Sequence, residues 1–270
     1  MAPSPHTVAC LVEDLRTLGV VPGDLVMVHA SLRAVGPVVG GAAGLVAALD
    51  AAVGPSGSLL MTVGAHDDWA WVNERPEPQR EALLAGSPPF DARATAADPD
   101  IGVLAEVFRT LPGSTVSDHP EGRFAARGRL AEVLVADVPW DDYYGPGSPL
   151  HRLVDERGRL LRLGADPDTV TAIHFAEYLA DVPGKRRVRR HRLVHGPDGP
   201  VVRIVETLDD SDGIVDHPGP DYFGVILGEY LQTGAAAVGV VGSARSELLD
   251  AADLVRFAAS WMTRHLGRPS

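Results

Sequence analysis

His174 and Glu177 stand three residues apart in the stretch 168–179, DTVTAIHFAEYL. On a helix this spacing puts both side chains on neighbouring surface, one turn apart. An imidazole held by a carboxylate accepts a proton near neutral pH, so the pair is a candidate general base. The structural alternative is a surface histidine merely satisfied by its neighbour. Asp168 is placed to cap this helix, and Val170, Ile173, Ala176 and Leu179 recur at helical spacing, which predicts one helix with an apolar stripe over 168–179.

Carboxylates gather twice more, as His66-Asp67-Asp68 beside Trp69 and Trp71, and as Asp209-Asp210-Ser211-Asp212. Carboxylates bind ammonium groups through charge-assisted hydrogen bonds, and an aromatic face beside them holds a cation or the apolar side of a sugar. A carboxylate of the second cluster could also orient His174 from behind, as the third member of a triad orients its base. Taken alone, each cluster reads equally as a solvated turn. The segment from His29 to Gly36 (HASLRAVG) follows an apolar run, and small residues after a parallel strand let backbone N–H groups reach a carbonyl or phosphate oxygen. It lacks the glycine spacing of a dinucleotide fingerprint or a P-loop.

Other chemistries lack their residues. His174 has no second helical histidine, and His29, His66 and His119 are scattered without ligand spacing, so no metal is expected. No G-x-S-x-G elbow supports a serine hydrolase. Cys10 permits no internal disulfide and reads as a small core residue of an amphipathic first helix over 7–18, closed at Gly19.

The elements that must position these groups alternate between strand and helix. Apolar runs at 25–29 and 58–63 flank a helical stretch at 44–53, which predicts a parallel pair with a right-handed crossover. A strand at 159–164 leads into the His174 helix. Residues 64–99 show no regular element; a loop this long suits a substrate-binding insertion at about 64–100. A helix is predicted at 101–111, a helix or strand at 130–136, a hairpin at 193–205 turning at Gly196–Gly199, and then helix, strand, helix at 222–231, 235–241 and 248–265. The basic run 185–192, with six of the 24 Lys and Arg residues, reads as a solvated strand or loop, with a phosphate site or an interface as the lesser reading. Without a repeat or a linker, 270 residues read as one domain, 1–270.

A net charge of −12 sets the chain against nucleic-acid partners and suits a cationic small molecule. No apolar run of about eighteen residues exists to span a membrane, and the first ten residues lack a signal pattern. A soluble, cytoplasmic protein is expected.

Collinear motifs run over nearly the whole chain: Val26 to Pro37 (VMVHASLRAVGP), Val53-Gly54-Pro55, Ser117 with His119-Pro120, Tyr144-Gly145-Pro146 with Ser148-Pro149, Thr171 to Glu177, Gly184 to Val188, Asp210-Ser211-Asp212-Gly213-Ile214 and Asp250 to Asp253. In this order they resemble the aminoglycoside 3-N-acetyltransferases, the antibiotic N-acetyltransferase family. The resemblance implies a three-layer α/β/α single domain with a mixed sheet, distinct from the GNAT acetyltransferases. It implies transfer of acetyl from acetyl-CoA, the co-substrate, to the 3-amino group of a 2-deoxystreptamine antibiotic, and a role in resistance. His174 falls on the family's catalytic histidine, and Asp210 on an acidic position that could partner it, as Glu177 could. His29, Ala30, Ser31, Leu32, Arg33, Val35 and Gly36, with Ser117, His119 and Ser148, fall near the coenzyme. Asp67 and Asp68 fall where carboxylates meet the aminoglycoside, with Asp209 and Asp212 as further candidates.

The chain departs from the family's pattern at Leu208, where relatives often carry an acid, and at Val116, where they often carry Arg; Arg123 is a candidate replacement in binding the coenzyme. Another cationic amine as acceptor and a non-catalytic cation-binding protein are the alternatives, and monomer or homodimer is left open.

Overall fold

The computed structural model describes residues 4–267, so the ends of the expected 1–270 domain, residues 1–3 and 268–270, lie outside the described residues. The strands are β1 (Leu25–Ala30), β2 (Ser58–Thr62), β3 (Ser114–Val116), β4 (Phe124–Gly128), β5 (Arg159–Leu163), β6 (Arg187–Gly196), β7 (Gly199–Leu208), β8 (Ala237–Val241) and β9 (Ala244–Asp250). The helices are α1 (Val8–Leu18), α2 (Leu32–Val35), α3 (Gly41–Val53), α4 (Glu77–Leu84), α5 (Val103–Thr110), α6 (Ala131–Val135), α7 (Pro149–Asp155), α8 (Ala172–Leu179), α9 (Tyr222–Gln232) and α10 (Ala251–His265).

Seven strands form one mixed sheet in the order β3-β4-β2-β1-β5-β9-β8, and β6 and β7 pair as a separate hairpin. Only the three middle strands are parallel: β1 pairs with β2 on one side and β5 on the other. They are short apolar runs because both faces of the sheet are covered. Alternation along β1 sends Leu25 and Met27 into a core with α6 to α10, and Val26 and Val28 into a core with α1, α3 and α5. The result is the expected three-layer mixed α/β architecture.

Several local expectations change. The His174 helix begins later than 168: residues Pro167–Thr169 form a 3-10 turn, Thr171 takes the cap position without a side-chain cap, and Asp168 caps nothing. Leu179 at its end is exposed, while Val170, Ile173 and Ala176 are buried. Cys10 is also exposed, on the outer face of α1, so it is not a core residue. The expected final helix starts at Ala251, because Leu248 and Leu249 belong to β9, a run buried on both faces and therefore without a strand's alternation. The segment 64–100 holds α4 and a 3-10 turn at Ala70–Glu74. Only Leu84 of α4 is buried, so no apolar stripe marked it in the sequence.

Two features hold that segment in place. Arg123, wholly buried in β4's approach, donates to the carbonyls of Gly64 (2.9 Å), Ala96 (3.0 Å), Ala92 (2.6 Å) and Thr95 (2.7 Å). From the other side the hairpin binds it, through Asn73 to the backbone of His191, Arg80 to Arg189, and Phe90 to Leu193.

Candidate active site

The C-terminal ends of the three parallel strands open on one side of the sheet, where α/β folds bind ligands. β1 delivers His29 and the segment leading into α2, β2 delivers Thr62, and β5 leads through Gly164 towards α8. Gly164 has φ +61°, and a Cβ there would stand 2.5 Å from that of Ala34, so glycine lets α2 pack directly on the end of β5.

On α8, His174 Nδ1 lies 2.8 Å from Glu177 Oε2. Glu177 is buried, and its other oxygen accepts the Tyr222 hydroxyl. A carboxylate only accepts, so the proton of the neutral ring sits on Nδ1 and Nε2 carries the free lone pair. Tyr144 stacks on the imidazole at 4.9 Å and 13°, and Phe223 meets it edge-on at 4.7 Å, which fixes the ring plane. Burial alone would lower the His174 pKa. The charge and hydrogen bond of Glu177, with Asp210 and Asp221 at longer range, more than offset it and leave the pKa raised.

Three cavities cluster here, the largest and the smallest of them lined by this ring. The largest, about 820 Å³, runs from His29–Arg33 past Ile101, Thr62 and Asp166 to His174. A second, about 490 Å³, is lined by Asp67, Asp98, Asp100, Glu121, Asp210 and the guanidiniums of Arg190 and Arg192. Thr62 and Tyr144 line both of them, and Thr62 donates to Thr171 across their junction at 3.2 Å. The third, about 210 Å³, lies between His174, Asp210, Asp212 and Asp221. A cavity with mixed walls, an acidic cavity adjoining it and an imidazole lining the first lie side by side, an arrangement that can hold a neutral and a cationic ligand near one proton acceptor.

The sequence-predicted residues divide accordingly. His29, Ala30, Ser31, Leu32 and Arg33 line the largest cavity. Burial, helped by the Arg162 charge, lowers the His29 pKa to about 4 and keeps its ring neutral. Val35 lies in the core beneath α1 and α3, and Gly36 packs against Ser243, so neither reaches the cavity.

Ser117, His119, Ser148 and Arg123 are structural groups away from the largest cavity. Ser117 Oγ accepts from Phe124 N and donates to Gly122 O. His119 Nδ1 accepts from the N–H groups of Glu121 and Gly122 while Nε2 donates to Trp140 O, and burial lowers its pKa to about 4. Ser148 caps α7 by accepting from His151 N. Arg123 spends its donors on the segment 64–100, as described above, so the coenzyme role expected for it is not what its geometry serves.

Asp210 does not touch His174: it is bound by Arg190 at 2.5 Å and by the Tyr143 hydroxyl. The carboxylate that holds the His174 ring is therefore Glu177. Asp67 lines the acidic cavity and pairs with Arg192. Asp68 faces the neighbouring hollow, 3.1 Å from His66. Asp209 is turned inward, accepting from Ser211 N and Asp212 N and pairing with Arg186 at 3.3 Å, whereas Asp212 reaches the smallest cavity.

Sequence reasoning missed Glu121, Tyr144, Arg190 and Arg192. For the arginines a signal existed: residues two apart on a strand share a face. Reading the whole basic run as solvated hid them. Among the described residues, no three His, Cys, Asp or Glu side chains come together as a metal-binding group, and no helix is long and apolar enough to cross a membrane.

Residues 27–263 match the sequence model of the family described as Aminoglycoside 3-N-acetyltransferase. Aminoglycoside N(3)-acetyltransferase III of Serratia marcescens is 40% identical over 270 residues, covering 98% of this chain and 100% of that protein. The solved structure described as AAC-IIIb binary with CoASH superposes with a TM-score of 0.92 at 39% identity, covering 99% of this chain and 100% of that one. A second, AAC-VIa bound to Sisomicin, gives 0.88 at 40% identity, with 97% and 99% covered.

Proposed function

The chain belongs to the aminoglycoside 3-N-acetyltransferase family, and from that premise we propose that it transfers acetyl from acetyl-CoA to the 3-amino group of 2-deoxystreptamine antibiotics, conferring resistance to them. The observation that carries this reading is the position of His174: it lines the largest cavity and is stacked on Tyr144, a residue that this cavity shares with the acidic one. A relative of nearly the same fold binds CoASH and another binds sisomicin, which supports two adjoining pockets for two substrates.

The chemistry follows from the charges. The acceptor nitrogen arrives protonated, and the carboxylates of the acidic cavity favour that cation. His174 Nε2 takes one proton from the ammonium, and Glu177 stabilises the imidazolium that results. The free amine attacks the thioester carbonyl, forming the N–C bond. The Ser31 hydroxyl is the candidate donor to the oxygen that becomes negative, since its Oγ already accepts from Ala34 N and its own proton is free to point into the cavity. The Ser31 backbone N–H is excluded, because it donates to Leu163 O. Collapse breaks the C–S bond, the leaving thiolate takes the proton back from His174, and the second proton of the acylated nitrogen is released to solvent, leaving a neutral amide. Cys10, exposed on α1, lines none of these three cavities, so direct transfer without an acetyl-cysteine is the reading.

In the same reading residues 64–100 are a substrate-binding insertion within one domain, since they supply Asp67, Asp98 and Asp100 to the acidic cavity. The test is CoA-thiol release by the purified protein against a panel of 2-deoxystreptamine aminoglycosides, with NMR of the product. Acetylation at N3 is expected. No turnover with any of them, by a protein that still binds acetyl-CoA, would overturn the acceptor assignment.

A further inference from the structure

Glu121 lies on the floor of the acidic cavity, in the turn between β3 and β4, where the mechanism gives it no task. Its backbone N–H is bound to His119 Nδ1 at 3.1 Å, which anchors the turn. Its side chain is 11% exposed and faces two arginines that project from the same face of β6. Arg192 Nε donates to Glu121 Oε1 while its Nη1 pairs with Asp67. Arg190 Nη1 lies 4.0 Å from Glu121 Oε2 and 2.9 Å from the Tyr143 hydroxyl, while its Nη2 holds Asp210 at 2.5 Å. The order across the cavity floor is thus Asp67, Arg192, Glu121, Arg190, Asp210.

Formal charges in this row are three negative and two positive. Side-chain exposure along it runs from 11% for Glu121 to 24% for Asp67, so the charges act on one another with little screening by water. Without Glu121 each guanidinium would have one aspartate as its only anion in the row. The row would be neutral, and neither aspartate would offer an ammonium group much attraction. With Glu121 between them both arginines are shared, and one net negative charge remains at the wall that faces the substrate.

We propose that Glu121 is a positioning and specificity residue for the cationic acceptor: by dividing the charge of Arg190 and Arg192 it leaves Asp210 and Asp67 able to bind ammonium groups. This rests on the function proposed above. It selects acceptors with several ammonium groups over those with one, because the attraction scales with the charge brought into the cavity.

The test compares steady-state kinetics of the wild type with Glu121→Gln, Glu121→Asp and the double variant Glu121→Gln/Arg192→Gln. It is run at about pH 8, above the pKa of about 7 to which burial, opposed by Arg190 and reinforced by Asp210, raises the Glu121 carboxyl. Glu121→Gln should raise the aminoglycoside KM about tenfold, the equivalent of one charge-assisted contact, with kcat and the acetyl-CoA KM changed by less than about twofold. The increase should be larger for aminoglycosides with more ammonium groups. Glu121→Asp should recover part of the loss. The double variant restores the net charge of the row, so its KM should return towards wild type, which a merely structural role for Glu121 would not produce.

An unchanged KM in Glu121→Gln, or a double variant worse than the single one, overturns the proposal. So does loss of folding or of acetyl-CoA binding in Glu121→Gln, which would make the residue a structural one. Absence of turnover by the wild type is a different result and overturns the parent reading; it is visible before any variant is made.

Discussion

In the proposed transfer the proton chemistry rests on one imidazole, whose tautomer is set by one carboxylate. His174→Gln removes the ring nitrogen proposed as the base, and kcat should fall by about 10²–10⁴ while acetyl-CoA binding persists. Full activity in that variant would remove the proposed base. Glu177 raises the His174 pKa, so activity should climb with pH through a midpoint above the ordinary 6.5. Glu177→Gln takes away the charge that raises it, and the midpoint of kcat/KM should move to lower pH as the maximal rate falls. A pH–rate profile of both proteins checks the sign. The sequence made the His174–Glu177 pairing visible because both residues are on one helix and local spacing fixes their distance. It left Asp210 as an equal candidate partner, because nothing local says that Arg190, twenty residues earlier, would reach Asp210 first.

At the scale of elements, the segment 64–100 is where sequence pattern failed and side-chain chemistry took over. It has little apolar surface of its own; Arg123 binds four of its carbonyls and the β6–β7 hairpin closes the other side. Arg123→Met would leave those carbonyls buried without a donor, at a cost of about 3 kcal/mol or more. Denaturation should show the lower stability, limited proteolysis should cut within 64–100, and the KM for acetyl-CoA should change less than that for the aminoglycoside. A selective rise in the acetyl-CoA KM would instead return Arg123 to the coenzyme. The strands β1, β2 and β5 were legible because each is a short apolar run between turn residues. β9 was not: it runs straight into α10 with no break, and Asp250, its last residue, is also the cap of the helix.

Over the whole molecule, two histidines work against stability in acid, the buried His119 and the partly buried His29. His29 and His119 both have pKa values lowered to about 4, first by burial. The unfolded chain therefore takes up protons between about pH 6.5 and 4 that the folded one refuses, and stability falls with pH across that window. For His119, with no exposed surface, the loss is on the order of 3 kcal/mol by pH 4. Chemical denaturation at pH 7, 5.5 and 4 measures it; a midpoint constant over that range would show that these rings are protonated in the fold. The sequence by itself determined the alternation of strand and helix, the three central strands and the pairing of His174 with Glu177, because periodicity and helical spacing are local properties of a chain. Only the tertiary structure decided which carboxylate binds the His174 ring, that Ser117, Ser148, His119 and Arg123 support the fold, and that Glu121 joins two arginines on the cavity floor. The deciding contacts include pairs far apart in the chain, 45 residues for Tyr222 and Glu177, 71 for Arg192 and Glu121 and 125 for Arg192 and Asp67, a competition that the folded geometry alone resolves.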